Sequence, residues 1–439
     1  MDYRLNYTDT DIDLMATMRP AGKLYWSLVA LLFVLVLMGA WAWWSQIQVG
    51  MGLAGKNSPV GWAMYITTFV FWVGIAHSGT LISAILFLVR VRWRAAVYRS
   101  AEAVTVFGLM TAGLFPLIHL GRPWVAHWVL PVPNFGGLWP NFRSPLAWDL
   151  LAISTYLIVS STFFVLGMLP DLAIVRDNVK GWKKKFYGFL SQGWQGTDTQ
   201  WRHYTAAYMF LAALATPLVI SVHSIVSWDF ALSIVPGWHS TIFAPYFVAG
   251  AIHSGLAMVV LLLVPMRRTF RIEKYITEHH LESLAKFIIF TALIVGFAYA
   301  VEFFIAWYSH HKYEKAIFLY RMVGDYAWAF WLLISTNVLV PMLLWFKKIR
   351  TSIPILVGIC VSVEIGMWLE RFVIIVTSLA HDYLPSAWGL YKPTPTDSMI
   401  VIGSFAWFFL LFMLFVKVLP AVSMWEVKEQ IDPPMKGSA

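Results

Sequence analysis

The chain has 439 residues, of which 59% are hydrophobic and 17% aromatic, while only 13% are charged. A soluble domain carries about 25% charged residues, so this composition excludes an ordinary water-soluble enzyme. The net charge of +9 does not indicate nucleic-acid binding, because the basic residues lie in loops between apolar segments. These segments are about 20 residues long, enough to cross the ~30 Å hydrocarbon core of a membrane. The sequence therefore predicts an all-α integral membrane protein with many spans.

In chain order, hydropathy predicts ten membrane-spanning helices, called spans one to ten below. They cover residues 23–48, 60–90, 96–120, 145–169, 203–228, 241–265, 283–308, 324–346, 352–379 and 397–419. Span one lacks a small-residue cleavage site, so we expect a retained helix and not a signal peptide. Between spans four and five, "RDNVKGWKKKFYGFLSQGWQGTD" mixes lysines with aromatic residues. This pattern fits an interfacial segment or an ordinary topology-setting loop.

Lysine and arginine are unevenly divided between the two sets of loops. Of the 32, 24 lie at the termini and in the second, fourth, sixth and eighth loops, while seven lie in the other loops. The last one, Arg371, lies inside span nine. The positive-inside rule therefore predicts that both termini are cytoplasmic.

One internal repeat is visible. "IAHSGTLISAILFLVRVRWR" from Ile75 resembles "AIHSGLAMVVLLLVPMRR" from Ala251, and the same shift of 176 residues carries Asp149 to Asp325. The shift covers four spans, so the copies would be parallel. We expect two four-helix bundles, spans two to five and six to nine, flanked by spans one and ten. The predicted regions are 1–59 (N-terminus and first helix), 60–228 (first bundle), 229–379 (second bundle) and 380–439 (last helix and C-terminus).

Ionisable side chains inside the spans are few, and each costs several kcal/mol unless it is paired, so each is a candidate functional residue. Five lie near the predicted outer border: His119, Asp149, Asp229, Glu302 and Arg371. Three lie deeper: His77 and His253 in the repeated His-Ser-Gly, and Glu364.

Each of these residues also has a structural interpretation. His119 could cap the end of its helix, Asp149 could interact with the helix dipole, and Asp229 could simply end a helix. Arg371 could pair with Glu370 or Glu364, and the two deep histidines could bridge spans by hydrogen bonds.

His119 and Asp149 flank a connector, "LGRPWVAHWVLPVPNFGGLWPNFRSP", that is rich in Pro, Gly and Trp. An aromatic-walled pocket with a histidine and a carboxyl group suits a quinone head group, because both groups can exchange protons near neutral pH. The single cysteine, Cys360, cannot form a disulfide within the chain or the usual four-thiolate iron–sulfur cluster. Haem is disfavoured because no span carries two suitably spaced histidines, although His77 and His253 could meet. We expect no metal site in this chain.

The motifs "GLFPLIHLGRPW", "LWPNFRSPLAWDLLAIST" and "GTDTQWRHYTAAYMFLAALATPLVISVHSIVSWDFALSIVPGWHSTIFAPYFVAGA" resemble the NrfD/PsrC-like membrane subunits of oxidoreductases. The resemblance is greatest to the quinol-oxidising subunit (ActC type) of bacterial alternative complex III. It implies a quinol site near the periplasmic face, with His119 and Asp149 as catalytic residues. Asp229, Arg371, Arg122 and Trp148 are further candidate quinol-binding residues, and a proton path is a candidate role for His77, His253, Glu302 and Glu364.

The same resemblance implies a substrate, partner subunits and a cellular location for the chain. The substrate would be a quinol, with menaquinone expected, and haem and iron–sulfur groups would belong to partner subunits. Expected partners are a periplasmic iron–sulfur subunit, haem c subunits, a second NrfD-like membrane subunit, small membrane subunits, lipids and a terminal oxidase. The expected location is the bacterial cytoplasmic (inner) membrane.

Two other functions remain open at the level of sequence. A non-catalytic anchor or proton-path subunit of the same kind of complex would keep the fold with a degenerate pocket. A secondary transporter is also built from repeated bundles, but usually binds its substrate near the midplane. Here the charged side chains cluster at the outer border instead.

Overall fold

The computed structural model of the chain describes residues 7–130, 133, 137, 139 and 141–429. Within these ranges, every regular element is a helix. Part of the connector between His119 and Asp149 lies outside the described residues, so its predicted role as a pocket wall stays a prediction.

Eight of the described helices are long and apolar enough to cross a membrane, and the chain is a multi-pass membrane protein. They match predicted spans one, three to eight, and ten: Lys23–Val49, Tyr98–His119, Pro145–Asn178, Asp198–Ala231, Phe243–Phe270, Glu278–Tyr308, Ala327–Trp345 and Pro395–Val418. Shorter helices outside the spans are Tyr7–Ala16, Met51–Leu53, Arg92–Ala96, Pro123–Val129, Trp182–Leu190, Lys312–Val323, Lys347–Arg350, Pro385–Ala387 and Met424–Glu429.

Spans two, eight and nine are interrupted helices and not the uniform ones that hydropathy predicts. Span two runs through Met64–Ile75, His77–Thr80, a π-helical turn at Leu81–Ile85 and Leu86–Leu88. Span eight contains a π-helical turn at Ser335–Leu339, and span nine runs through Ile353–Phe372, a π-helical turn at Val373–Thr377 and Ser378–Ala380. Because π-helical turns concentrate at functional sites, these interruptions mark candidate functional regions. The count of ten spans remains a prediction.

The helices of each predicted bundle contact one another in a ring. In the first bundle, spans two, three, four and five each contact the next, and span five contacts span two. Spans six to nine form a second ring in the same way. Span six joins the two rings through contacts with spans two and five, and span two also contacts span nine. These three helices therefore form the buried centre of the molecule. The parallel repeat and the region boundaries are not tested by these contacts and stay predictions.

Spans one and ten pack against each other at a pair of glycines. A Cβ atom added to Gly403 would lie 2.8 Å from the Cα atom of Gly39, which is closer than two carbon atoms can approach without a shift of the backbone. Small residues at such crossings let membrane helices approach closely and gain dispersion contacts. The two glycines thus explain why the flanking helices form one pair.

The two ends of the described part of the chain lie on one face of the molecule. Lys428 forms an ion pair with Asp11 of the N-terminal helix, and the backbone N–H groups of Met424 and Trp425 donate to Asp171 Oδ1 at 3.1 and 3.0 Å. The predicted cytoplasmic location of both termini stays a prediction. We call the opposite face, which the sequence predicts to be periplasmic, the outer face.

Candidate functional site

His119 is the last residue of span three, at the outer face. Its Nδ1 atom lies 2.7 Å from the Nζ atom of Lys56, which belongs to the loop between spans one and two. The edge of the Trp62 ring faces the imidazole, with ring centroids 6.5 Å apart. The side chain therefore contacts another loop instead of capping its own helix, the structural role considered from the sequence.

Lys56 is partly buried and held by three other elements. Its ammonium lies over the ring of Tyr65 in span two, 5.0 Å from the centroid. The neighbouring Gly55 donates its backbone N–H to Asp397 of span ten at 2.9 Å. Burial lowers the pKa of Lys56 to about 8, although the negative charge of Asp397 acts in the opposite direction. A lysine with this environment can change protonation within the physiological range.

The loop is also tied to the backbone beside His119. The Tyr65 hydroxyl donates to Gln46 Oε1 at 2.7 Å, and Gln46 Nε2 donates to the backbone carbonyl of Ile118 at 2.9 Å. Gln46 is fully buried. Spans one, two and three are thus connected by hydrogen bonds directly below Lys56 and His119.

Asp149 and Asp229 meet at the outer ends of spans four and five. Asp149 is only 7% exposed, and the two carboxyl groups are in hydrogen-bond contact. A hydrogen bond between two carboxyl groups requires one proton between them, because ionised carboxylates only accept. The Oδ1 atom of each residue has no hydrogen-bond partner within the described part of the chain. The site therefore offers buried oxygen acceptors with spare capacity.

The helix-dipole interpretation of Asp149 is wrong. Its helix begins at Pro145, and its first turn contains no acidic residue, so Asp149 lies beyond the range in which a helix N-terminus favours a negative charge. Asp325, its counterpart in the sequence repeat, is exposed and accepts a hydrogen bond from the Tyr320 hydroxyl at 3.0 Å. The two aspartates thus have different environments.

Aromatic rings connect the two halves of the site. Trp62, which contacts His119, also contacts Phe230 and Trp238, with centroid distances of 5.8 and 5.7 Å. Phe230 directly follows Asp229 in the sequence. Ring surfaces of this kind can hold a flat aromatic ligand by offset or edge-on stacking.

Trp148 and Arg122 were both predicted to bind the ligand. Trp148 lies edge-on to Trp228 with centroids 6.1 Å apart, and its indole N–H donates to the Phe142 carbonyl at 2.6 Å. It can therefore act as a ring surface, but its donor is already used. Arg122 is exposed, and its side chain is not among the contacts that build the site.

Arg371 lies elsewhere, in the buried centre between spans two, six and nine. Its Nη1 atom donates to Glu370 Oε1 at 2.7 Å, which confirms one of the two pairings expected from the sequence. A Cβ atom added to Gly74 or to Gly250 would lie 3.3 or 3.6 Å from Arg371 Nη2. Gly74 therefore makes room for the guanidinium, and Gly250 lies beside it. The structure places Arg371 with this ion pair and not with His119.

Of the candidate proton-path residues, His77 and His253 are both fully buried but occupy separate places. His77 Nδ1 lies 2.7 Å from the carbonyl of Val73, and His253 Nδ1 lies 2.9 Å from Thr291 Oγ1. The ring next to His77 is that of His223, at a centroid distance of 4.5 Å. Both nitrogens of His223 have no hydrogen-bond partner in the described ranges.

Glu302 and Glu364 are the acidic members of that predicted set. Glu302 lines a cavity of about 20 Å³ together with Arg321, Tyr299 and Glu370, a space that can hold one water molecule. The carboxyl oxygens of Glu364 have no hydrogen-bond partner among the described residues. Buried carboxyl oxygens without direct partners, such as Glu302 Oε1 and both oxygens of Glu364, are suited to exchange protons through water.

Three residues at or near these sites were missed from the sequence. Lys56 is the lone basic residue of a Gly/Asn/Pro loop that precedes Trp62, in "GKNSPVGW". His223 occurs in "VHSIVS", an intramembrane histidine followed by serine, as in the two His-Ser-Gly motifs. That recurring His-Ser pair was a usable signal, whereas nothing in the sequence connects Lys56 to His119. The third is Trp62 itself, whose contacts with both halves of the site depend on how the loop folds back.

Within the described residues, no group of three or more His, Cys, Asp or Glu side chains is arranged to hold a metal ion. The chemistry that these side chains themselves offer is proton exchange and aromatic stacking.

Comparisons with known proteins agree with this architecture. A putative membrane subunit of dimethyl sulfoxide reductase from Halobacterium salinarum is 28% identical over 393 residues, covering 88% of this chain and 85% of the relative. An Hdr-like menaquinol oxidoreductase integral membrane subunit from Archaeoglobus fulgidus is 23% identical over 432 residues, covering 93% and 96%. The family model described as "Polysulphide reductase, NrfD" matches residues 52–381, which include every candidate site residue. The chain belongs to the NrfD polysulphide reductase family of membrane subunits.

Proposed function

We propose that this chain is the quinol-oxidising membrane subunit of a complex of the alternative complex III type. Quinol binds at the outer ends of spans three, four and five. The observation that carries the proposal is the carboxyl pair of the buried Asp149 and the partly buried Asp229, on the same face as His119 and near a group of aromatic rings. A quinol head group needs ring surfaces, hydrogen-bond partners and a proton acceptor. The site offers all three.

The carboxyl pair is suited to take protons from quinol. Oxidation of one quinol to quinone releases two protons and two electrons. A pair that holds a single proton can accept another from a quinol hydroxyl at an oxygen that has no other partner. It can then release this proton toward the outer face, where the outer ends of both helices lie, and accept the second proton of the quinol in the same way. A positioned acid–base group contributes about 10²- to 10⁴-fold to a reaction rate.

The electrons leave through a partner. Cys360 is the single cysteine of the chain, and an iron–sulfur cluster usually takes four thiolates. We therefore propose that a periplasmic iron–sulfur subunit accepts the electrons, followed by haem c subunits and a terminal oxidase. A second NrfD-like subunit, small membrane subunits and lipids complete the assembly in the bacterial cytoplasmic membrane. The name of the Archaeoglobus relative, a menaquinol oxidoreductase subunit, supports menaquinol as the substrate.

Proton translocation is a separate part of the proposal. His77 and His223 lie side by side between spans two and five, and span two changes to a π-helical turn just beyond His77. His253, Glu302 and the buried carboxyl oxygens of Glu364 extend the buried polar groups into the second bundle. Buried ionisable groups in a membrane mark proton relays in many pumps, and this set crosses the centre of the molecule.

The test of quinol oxidation is Asp149→Asn in the assembled complex. The substitution keeps the shape of the side chain and removes an ionisable proton acceptor. We therefore expect the rate of menaquinol-dependent haem c reduction to fall at least about 100-fold, the effect of losing one acid–base group. Subunit and haem content should stay unchanged. Asp325→Asn is the matched control, because Asp325 is exposed on the same face, and we expect its rate to stay within about twofold of the parent. If Asp149→Asn turns over normally, the chain is an anchor or proton-path subunit and quinol is oxidised elsewhere.

A further inference from the structure

The contact between Lys56 and His119 restricts the chemistry of the imidazole. A lysine ammonium has three hydrogen-bond donors and no acceptor, so a ring nitrogen 2.7 Å from it must accept. A neutral imidazole that accepts at Nδ1 carries its proton on Nε2. His119 then presents an N–H donor, and not a base, on the other side of its ring.

We propose that Lys56 is a positioning residue of the quinol site that fixes His119 as a hydrogen-bond donor through Nε2–H, leaving the Asp149/Asp229 pair as the proton acceptor. This inference rests on the proposed quinol oxidation. It assigns hydrogen-bond donation to His119 and proton acceptance to the carboxyl pair. The ligand class is a quinol or quinone with an oxygen directed at Nε2. That oxygen is an acceptor in both redox states, so the His119 hydrogen bond can persist through the reaction.

The surroundings of Lys56 explain why a lysine can act in this way. The charged or titratable groups that face it are His119 from span three, Tyr65 from span two and Asp397 from span ten. Asp397 accepts hydrogen bonds from Gly55 N–H and from the Tyr391 hydroxyl, at 2.9 and 2.7 Å. The loop is therefore fixed to span ten, and the position of the ammonium does not depend on His119 alone.

The lysine also gives the site a pH dependence. Burial lowers the pKa of Lys56 to about 8, so the ammonium is the main form at pH 7 and is lost as the pH rises through that value. A neutral amine can accept as well as donate, and the imidazole is then free to take either tautomer. Quinol oxidation by the parent complex should therefore decline above about pH 8.

The experiment compares Lys56→Met and Lys56→Arg with the parent in the assembled complex. Menaquinol-dependent haem c reduction is measured between about pH 6 and 9.5. At about pH 7, Lys56→Met should raise KM about 3- to 10-fold, the effect of weakening one hydrogen bond, with a smaller change in kcat. The high-pH decline should disappear. Lys56→Arg keeps a donor that stays charged at every pH used, so it should restore KM to within about threefold of the parent and remain active at about pH 9.

One control variant and one further readout separate this inference from the function on which it rests. Lys392→Met removes an exposed lysine next to the same loop and should change neither KM nor the pH profile. A second readout is the infrared carbonyl band of bound menaquinone, which should shift in Lys56→Met and not in Lys392→Met.

The outcomes are distinct. If Asp149→Asn abolishes turnover while Lys56→Met keeps the parental KM and high-pH decline, quinol oxidation stands and the role of Lys56 is overturned. A high-pH decline that persists in Lys56→Arg also overturns it. If neither Asp149→Asn nor Lys56→Met alters turnover, both proposals fail together. Should Lys56→Met not assemble, Lys56→Arg still decides the question through its activity at about pH 9.

Discussion

The contact between Asp149 and Asp229 predicts that the two carboxyl groups act as one unit, which a double-mutant cycle can measure. The variants are Asp149→Asn, Asp229→Asn and the double variant, each in the assembled complex. Both side chains contribute to a single hydrogen-bonded pair, so either substitution disrupts the same proton acceptor. Each single variant should lose about 10²- to 10⁴-fold in kcat/KM, equivalent to about 2.7–5.4 kcal/mol at about 1.36 kcal/mol per tenfold change.

The double variant should lose little more than the worse single variant, because residues that act as a unit are strongly non-additive. Stopped-flow reduction of haem c by menaquinol provides the rates, and haem content and thermal unfolding report on assembly. Losses that multiply would mean that the carboxyl groups act independently. A single variant with parental activity would show that its residue is not needed for proton transfer, and the shared-proton argument would then be wrong.

Two further predictions concern other parts of the molecule. His223→Leu should lower the number of protons translocated per electron in proteoliposomes while quinol turnover stays within about twofold, because the ring adjoins His77 and not the quinol site. The control is His203→Leu, which changes an exposed histidine on the same helix. An unchanged ratio of protons to electrons in His223→Leu would exclude His223 from the proton path. Gly403→Val should destabilise the solubilised protein by about 1–3 kcal/mol, measured by thermal unfolding, because its Cβ would lie 2.8 Å from a backbone carbon of span one. Gly358→Val, where nothing lies within 4 Å, should have little effect, and equal losses would refute the packing argument.

Membrane insertion is the part of this structure that follows most directly from sequence. Lipid cannot satisfy backbone hydrogen bonds, so an apolar segment of the right length must form a helix. The eight long helices accordingly begin and end within several residues of their predicted bounds, apart from Pro145–Asn178, which continues nine residues past its span. The interruptions in spans two, eight and nine were not predicted, because hydropathy depends on composition and is insensitive to a π-helical turn.

The sequence by itself also indicated that His119, Asp149 and Asp229 lie at one depth near one face, because depth depends only on the distance along a helix from its end. Which of them meet depends on how each helix is rotated about its axis and which neighbours it packs against. That is why only the tertiary structure pairs Asp149 with Asp229, 80 residues later, and brings Lys56 to His119. The tertiary structure also places Arg371, at a similar predicted depth, against Glu370 in the centre of the molecule. The ion pair there compensates for burying the charge of Arg371.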